Sequence, residues 1–289
     1  GLLVAPRLSD WCILTKPGIS LMTLVTAVAG YCLAGGGPAH PATLVMMLLG
    51  TALAGSGANA LNMWFERDYD ALMRRTANRP IPAGRIRPRT AFVFGLTLSF
   101  AGPLLLAAGV GSLTAWIAAA SVVSYVLVYT PLKRVSSLNT LVGAVPGALP
   151  PLIGWSAATG TLDARAWGLF LILFFWQIPH FLGIAWRWRE DYTNAGYRML
   201  TVGDADGRRT ARQVVLHSLA LLAVSLLPTL QGVAGAVYAG AALALGIGFL
   251  AFGLAFAARR TEVRARRLFL ASIVYLPVLL SILVIARTG

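Results

Sequence analysis

Long apolar runs alternate with short polar breaks along the whole chain. Nine runs are each about 20 residues long, which is the length an α-helix needs to cross the hydrocarbon core of a bilayer. They lie at residues 17–35, 43–64, 91–109, 113–130, 138–156, 166–186, 213–230, 233–257 and 268–286. The pattern predicts an all-α polytopic membrane protein in which nine transmembrane helices form a single domain over residues 1–289.

Composition supports a membrane protein. Apolar residues make up 57% of the chain and charged residues only 12%, whereas soluble domains carry about 25% charged residues. A net charge of +14 would favour nucleic-acid binding in a soluble protein. Here the charges flank apolar runs, so we expect a bilayer surface as the partner and no nucleic acid. The two cysteines, Cys12 and Cys32, are too few for a disulfide framework or a metal cluster.

The positive charges fall on alternate inter-helix segments. Of the 24 lysines and arginines, 22 lie in the N-terminal segment or in the loops after helices 2, 4, 6 and 8, and only Arg165 and Arg287 lie in the others. The positive-inside rule then places the N-terminus and the basic loops in the cytoplasm and the C-terminus outside. We expect the inner or plasma membrane of a prokaryote.

The densest charge follows the second apolar run. Asn62, Glu66 and Asp70 are spaced four apart and therefore drift by only about 40° per step on a helix, which puts them on one face. Such a row of oxygen ligands suits a Mg²⁺ ion shared with a phosphate substrate. The cations behind it are typical of phosphate or carboxylate clamps; they include Arg74, Arg75 and Arg79. The arginines alone would favour a solvated basic loop, but the arginines together with the polar row favour a site.

Other candidates follow helices 4 and 6. Lys133 and Arg134 either meet a phosphate or only fix the orientation of the chain in the bilayer. The sixth predicted helix, residues 166–186, carries Gln177 and His180, and Asp191 follows it. A lone histidine in an apolar helix is more often a packing residue than a ligand, and the neighbouring tryptophans are also typical of an interfacial belt.

Several motifs carry a resemblance to a known family. The pattern N-x-x-x-E-x-x-x-D followed by ALMxRTxxRPxPxGR resembles the first signature of the UbiA-type intramembrane prenyltransferases, and in particular their haem O synthase branch, which has Glu where most relatives have Asp. LTKP, LKR, GAxPPLIGW, WQxPHF and DYxxAG also match, over most of the first 215 residues. Three positions depart from the pattern. Ala195 replaces the second carboxylate of the second site, although Asn194 offers an oxygen; Gly18 replaces an expected Arg; and Arg198 replaces an expected Pro.

The resemblance implies a function. It implies nine helices around a central cavity that opens to the lipid, with farnesyl diphosphate and haem B as substrates and Mg²⁺ as cofactor. It assigns catalytic metal binding to Asn62, Glu66, Asp70 and Asp191, and binding of diphosphate or haem propionates to Arg74, Arg75, Arg79, Lys133 and Arg134. It assigns the acceptor to Trp176, Gln177 and His180, where His180 either faces the haem or holds a water. A downstream haem-modifying enzyme and oxidase assembly factors are candidate partners.

Two alternatives remain open. The chain could be a UbiA-type enzyme that prenylates an aromatic acid or another tetrapyrrole. It could also be a transporter with an acid site in the membrane, although the chain has no visible repeat between its halves and its acids gather at one face.

Overall fold

The computed structural model describes residues 7–36 and 41–288, and the described chain is helical and contains no β-strand. Residues 1–6, 37–40 and 289 of the predicted domain lie outside this part. The helices are α1 (Leu8–Thr15), α2 (Pro17–Leu33), α3 (Pro41–Asp70), α4 (Pro88–Gly109), α5 (Ser112–Val123), α6 (Thr130–Leu132), α7 (Asn139–Ala148), α8 (Pro150–Thr159), α9 (Ala164–Arg187), α10 (Arg189–Asn194), α11 (Arg208–Val224), α12 (Leu227–Leu230), α13 (Ala236–Ala258) and α14 (Glu262–Ile285). A π-helical turn at Ser124–Tyr129 joins α5 to α6.

Eight helical units within the described residues are long and apolar enough to cross a membrane. They are α3, α4, α5 to α6, α7 to α8, α9, α11 to α12, α13 and α14. The pair α1 and α2, bent by 47° at the break between them, brings the number to nine if the two helices are counted as one span. The predicted fold class is therefore confirmed, and the chain is an integral multi-pass membrane protein.

The helix ends differ from the predicted ends where charge interrupts the apolar run. The second predicted run stops at residue 64, whereas α3 continues through Asp70 because its last polar side chains face the interior of the bundle and remain buried. The helix α1 was not predicted, since eight residues are too few to register as a span.

The fifth span breaks at Leu149, between α7 and α8. Pro150 has no N–H to donate to the carbonyl of Pro146. That carbonyl accepts instead from the backbone N–H of Leu149 at 3.4 Å and from the Ser121 hydroxyl at 3.2 Å. A neighbouring helix thus helps to satisfy this freed carbonyl, as is usual where proline interrupts a membrane helix.

Glycine allows two helix pairs to approach closely. On the α3–α4 interface a Cβ at Gly57 would overlap the backbone nitrogen of Ser99. On the α2–α8 interface a Cβ at Gly154 would overlap the carbonyl oxygen of Ala27. Such small-residue contacts are typical of membrane helices, whose association relies on van der Waals packing.

The inter-helix segments gather on two opposite faces. On one face Arg287 donates to the carbonyl of Cys32, and Gln231 donates to that of Ala164. On the other face the backbone N–H of Arg198 donates to the carbonyl of Lys133 at 2.8 Å. The chain therefore alternates between two faces as the charge pattern predicts. Which face is cytoplasmic stays a prediction.

Candidate active site

A cavity of about 610 Å³ opens beside the end of α3. Its volume lies within the range of about 300–1,000 Å³ that is usual for small-molecule sites. Polar and charged residues line it near the ends of α3, α6 and α9, and apolar and aromatic residues line its deeper part. The polar lining includes Lys16, Asn59, Asn62, Glu66, Asp70, Arg75, Arg79, Tyr125, Tyr129, Lys133, Gln177, His180, Tyr192 and Tyr197.

The predicted polar row lies on the inner face of α3. Asn62 is 1% exposed, Glu66 is 6% exposed and Asp70 is 0% exposed. All three line the cavity, as the four-residue spacing indicates. Buried carboxylates are costly unless they are paired or bind a metal.

Asn62 is held from two sides. Its Oδ1 accepts from Lys16 Nζ at 2.7 Å, and its Nδ2 donates to Thr130 Oγ1 at 3.0 Å. Lys16 lies at the break between α1 and α2, with a left-handed backbone conformation (φ 48°) that is uncommon for a residue other than glycine. The bend between these helices therefore brings the amine of Lys16 to the start of the row.

Glu66 pairs with Lys133, which follows the last residue of α6. The Lys133 amine lies 2.7 Å from Glu66 Oε1 and 4.5 Å from the centroid of the Tyr129 ring. Burial alone would lower the pKa of Lys133, but the Glu66 carboxylate raises that pKa well above its ordinary value. Lys133 is therefore a fixed positive charge in the cavity.

Asp70 ends the row and is only partly satisfied. Its Oδ2 accepts from Arg79 at 2.6 Å and its backbone carbonyl accepts from Thr76 at 2.9 Å. Its Oδ1 is buried and has no hydrogen-bond partner. Such an orphan oxygen suits a hard cation.

Asp191 is not among the residues that line the cavity. Asp191 is buried, and it accepts from Arg74 Nε at 3.2 Å and from the backbone N–H of Arg75 at 3.4 Å. It lines a neighbouring cleft rather than the cavity. Among the described residues, no three His, Cys, Asp or Glu side chains stand close enough to hold a metal by themselves.

The predicted cations are divided in the same way. Arg75, Arg79 and Lys133 line the cavity. Arg74 points into the neighbouring cleft, and Arg134 is exposed and stacks over the Tyr69 ring at 4.2 Å.

The three candidate acceptor residues all line the cavity. Gln177 Nε2 donates to the carbonyls of Ala144 and Leu173. The His180 ring stacks on Trp176, with a centroid distance of 4.8 Å and an interplanar angle of 26°. These side chains come from successive turns of α9, so one helix supplies this wall.

Of the three departures from the family pattern, Gly18 and Arg198 differ in position. Gly18 lies in the lining of the cavity, and a Cβ there would meet nothing within 4 Å. The exposed side chain of Arg198 is not among the lining residues, although its backbone N–H anchors Lys133. Of the three, only Gly18 therefore belongs to the surface of the cavity.

Sequence reasoning missed several residues of the site. The sequence marks Lys16 only as one of the 22 cations of the N-terminal segment and basic loops and as part of LTKP, although it is the single cation between two apolar helices. Tyr125, Tyr129 and Tyr197 also line the cavity. Burial raises the pKa of Tyr197, so its hydroxyl stays protonated.

Comparisons with known proteins identify the family. A sequence profile described as the UbiA prenyltransferase family matches residues 23–276. The chain belongs to the UbiA prenyltransferase family. The prediction of an enzyme of the prenyltransferase class is thereby confirmed over that of a transporter.

Curated UbiA-family relatives cover nearly the full chain. A protoheme IX farnesyltransferase of Solibacter usitatus (strain Ellin6076) is 44% identical and covers 97% of this chain and 99% of its own length. One of Opitutus terrae (strain DSM 11246 / JCM 15787 / PB90-1) is 46% identical and covers 97% of this chain and 95% of its own length.

Solved structures show the same UbiA fold. A digeranylgeranylglyceryl phosphate synthase gives a TM-score of 0.81 at 15% identity and covers 96% of this chain and 98% of its own. A UbiA homologue from Archaeoglobus fulgidus, bound to GPP and Mg²⁺, gives a TM-score of 0.69 at 15% identity and covers 95% of this chain and 99% of its own.

Proposed function

We propose that this UbiA-family enzyme transfers the farnesyl group of farnesyl diphosphate to a vinyl group of haem B, which yields haem O. The observation that carries the proposal is the buried row of Asn62, Glu66 and Asp70, set among cations at the polar end of an apolar cavity. That arrangement matches a substrate with a charged diphosphate head and a long apolar chain.

The residues of the row fit Mg²⁺. Mg²⁺ usually takes one or two carboxylates and completes its shell with waters and substrate phosphates. Glu66, Asp70 and Asn62 would hold it, with Asp191 as the fourth predicted ligand, and the buried Oδ1 of Asp70 has no hydrogen-bond partner that the ion would have to displace. When bound, the ion would neutralise charge that develops on the leaving diphosphate.

The cations of the chain would bind and polarise the diphosphate. Lys16, Arg79 and Lys133 reach the row from three separate segments, each within 2.7 Å of one of its oxygens. Diphosphate oxygens placed there would receive charge-assisted hydrogen bonds that strengthen as the C–O bond to the farnesyl carbon breaks. Arg74, Arg75 and Arg134 would bind diphosphate or haem propionates nearer the surface.

The apolar part of the cavity protects the allylic cation. Deeper lining residues such as Ile153, Leu173 and Leu276 offer no nucleophile and limit the access of water. The cation is attacked by the terminal carbon of a haem vinyl group, so a C–C bond forms. Water then adds to the carbon next to the ring and loses a proton, which leaves a hydroxyethylfarnesyl side chain and free diphosphate.

The acceptor is inferred from relatives and motifs. The curated relatives at 44% and 46% identity are protoheme IX farnesyltransferases. Glu66 in the row and Trp176, Gln177 and His180 in the α9 wall belong to the motifs of that branch. An aromatic acid or another tetrapyrrole is the competing acceptor.

The membrane orientation completes the proposal. The N-terminus and the site would lie on the cytoplasmic side of a prokaryotic inner membrane, with the C-terminus external, because the cations flank that face. The product would then pass to a downstream haem-modifying enzyme or to oxidase assembly factors.

Reconstituted protein tests the proposal. Proteoliposomes are given farnesyl diphosphate, Mg²⁺ and an equal mixture of haem B and 4-hydroxybenzoate, and the extracted products are identified by mass. We expect a haem that has gained one farnesyl group and one hydroxyl group. EDTA should stop its formation and added Mg²⁺ should restore it. Unmodified haem together with a prenylated aromatic acid would establish the competing acceptor instead.

A further inference from the structure

The α9 wall of the cavity includes Trp176, Gln177 and His180. His180 is the titratable residue of the three, and its role is still open. It lies on α9 and lines the cavity, and its Nδ1 is 2.7 Å from Ser272 Oγ on α14. Trp176 stacks on the ring, and the Phe269 ring lies 5.0 Å from it, centroid to centroid. The imidazole is therefore fixed in both position and orientation.

The hydrogen bonds of Ser272 determine the tautomer. Ser272 Oγ lies 2.6 Å from the carbonyl oxygen of Phe269, and only the serine can supply the proton for that bond. A hydroxyl has a single proton, so Ser272 must accept from His180 rather than donate to it. His180 Nδ1 therefore carries the proton, and Nε2 carries a lone pair.

Nε2 is free for a ligand. Within the described chain, the only side-chain hydrogen bond of His180 is the one made by Nδ1. Nε2 makes none, and it is not buried. A neutral imidazole whose Nδ1–H is held by a fixed acceptor is the arrangement in which histidine binds metals through Nε2.

We propose that His180 Nε2 is an axial ligand to the iron of the haem acceptor. This inference rests on the proposed function, since it requires a haem in the cavity. The bond would fix the macrocycle against α9, and Ser272 would set the tautomer and orientation of its ligand. His180 would then select a metallated tetrapyrrole over an aromatic acid or a metal-free porphyrin.

Haem binding can be measured without prenyl transfer. The full chain is purified in nanodiscs and titrated with ferric haem B, and the absorption spectrum and EPR signal are recorded. Protein labelled with ¹⁵N-histidine, with the haem converted to its ferrous nitrosyl form, should show nitrogen hyperfine structure that changes with the isotope. This wild-type measurement decides the ligand class even if a variant fails to fold.

Variants then identify the residue. His180→Ala should lose the histidine signature and regain a nitrogen ligand when imidazole is added. Ser272→Ala should keep the signature but bind haem about 10- to 100-fold more weakly, as for loss of other groups that orient a metal ligand. The matched control is His217→Ala, because His217 lies in the spanning helix α11, bonds the Gln213 carbonyl and does not line the cavity. It should bind haem as the wild type does.

The outcomes separate the two proposals. If His180→Ala and wild type give the same spectra, or if bound haem shows no histidine nitrogen, the axial ligand is refuted and the proposed function stands. If wild type binds no haem and prenylates another acceptor, both proposals fail.

Discussion

Variants of the Lys133–Glu66 pair can separate what the pair contributes to stability from what it contributes to activity. Their charged atoms lie 2.7 Å apart, and the side chains are only 14% and 8% exposed. At an effective dielectric constant of about 20, Coulomb's law gives an attraction of about 6 kcal/mol at that distance, part of which offsets desolvation. Lys133→Met leaves the Glu66 carboxylate buried without this partner, so we expect a loss of about 3–5 kcal/mol.

The double variant Lys133→Met, Glu66→Gln removes both charges. It should recover most of the lost stability, because replacing a whole buried pair is often neutral. It should remain inactive, since both the proposed diphosphate-binding cation, Lys133, and the proposed metal-binding carboxylate, Glu66, are gone. Stability is followed by tryptophan fluorescence on heating in detergent, where the single variant should lower Tm by roughly 6–10 °C. Activity is followed by the mass of the extracted haem.

The control is Arg67→Met. Arg67 and Asp68 form a pair at 3.5 Å in which the Asp68 side chain is 74% exposed, so its loss should cost no more than about 1 kcal/mol. If Lys133→Met were as stable as this control, the buried pair would not exist in the membrane. If the double variant turned over substrate, the assignment of Glu66 to the metal would be wrong.

Two further predictions concern the row and the topology. Asp70→Ala should abolish turnover while the protein still inserts and purifies. The control is Asp68→Ala, which lies on the same helix turn but is exposed, and its activity should stay within a few-fold of wild type. Comparable activity of the two variants would remove Asp70 from the site. In a background without Cys12 and Cys32, cysteines placed at the exposed positions Arg165 and Ala205 should be labelled from opposite sides of the membrane, and labelling of both from one side would refute nine spans.

The number of membrane spans and the polar row could be predicted from the sequence because each depends on a local pattern. In a bilayer, a run of about 20 apolar residues forms a spanning helix, because a helix satisfies its backbone hydrogen bonds internally. A four-residue spacing places Asn62, Glu66 and Asp70 on one face whatever the rest of the chain does. The row therefore lies on one face of α3, although the apolar run ends at residue 64 and α3 continues to Asp70.

The partners of the row could not be predicted, since they depend on how distant segments pack. Lys16 reaches Asn62 across 46 positions of sequence, and Lys133 reaches Glu66 across 67. Asp191 was grouped with the row by family resemblance, and the structure instead places it in a cleft with Arg74. Its metal role stays a prediction.

The π-helical turn at Ser124–Tyr129 makes the length of this span part of the site. At its end Thr130 donates to the carbonyl of Tyr125 at 2.8 Å and accepts from Asn62. Removing one residue from a helix turns everything after it by about 100°. A chain one residue shorter here would still cross the bilayer, but it would turn Thr130 and Lys133 away from α3 together. An insertion or deletion in this helix would therefore change the composition of the candidate site, even where the residues it touches face lipid.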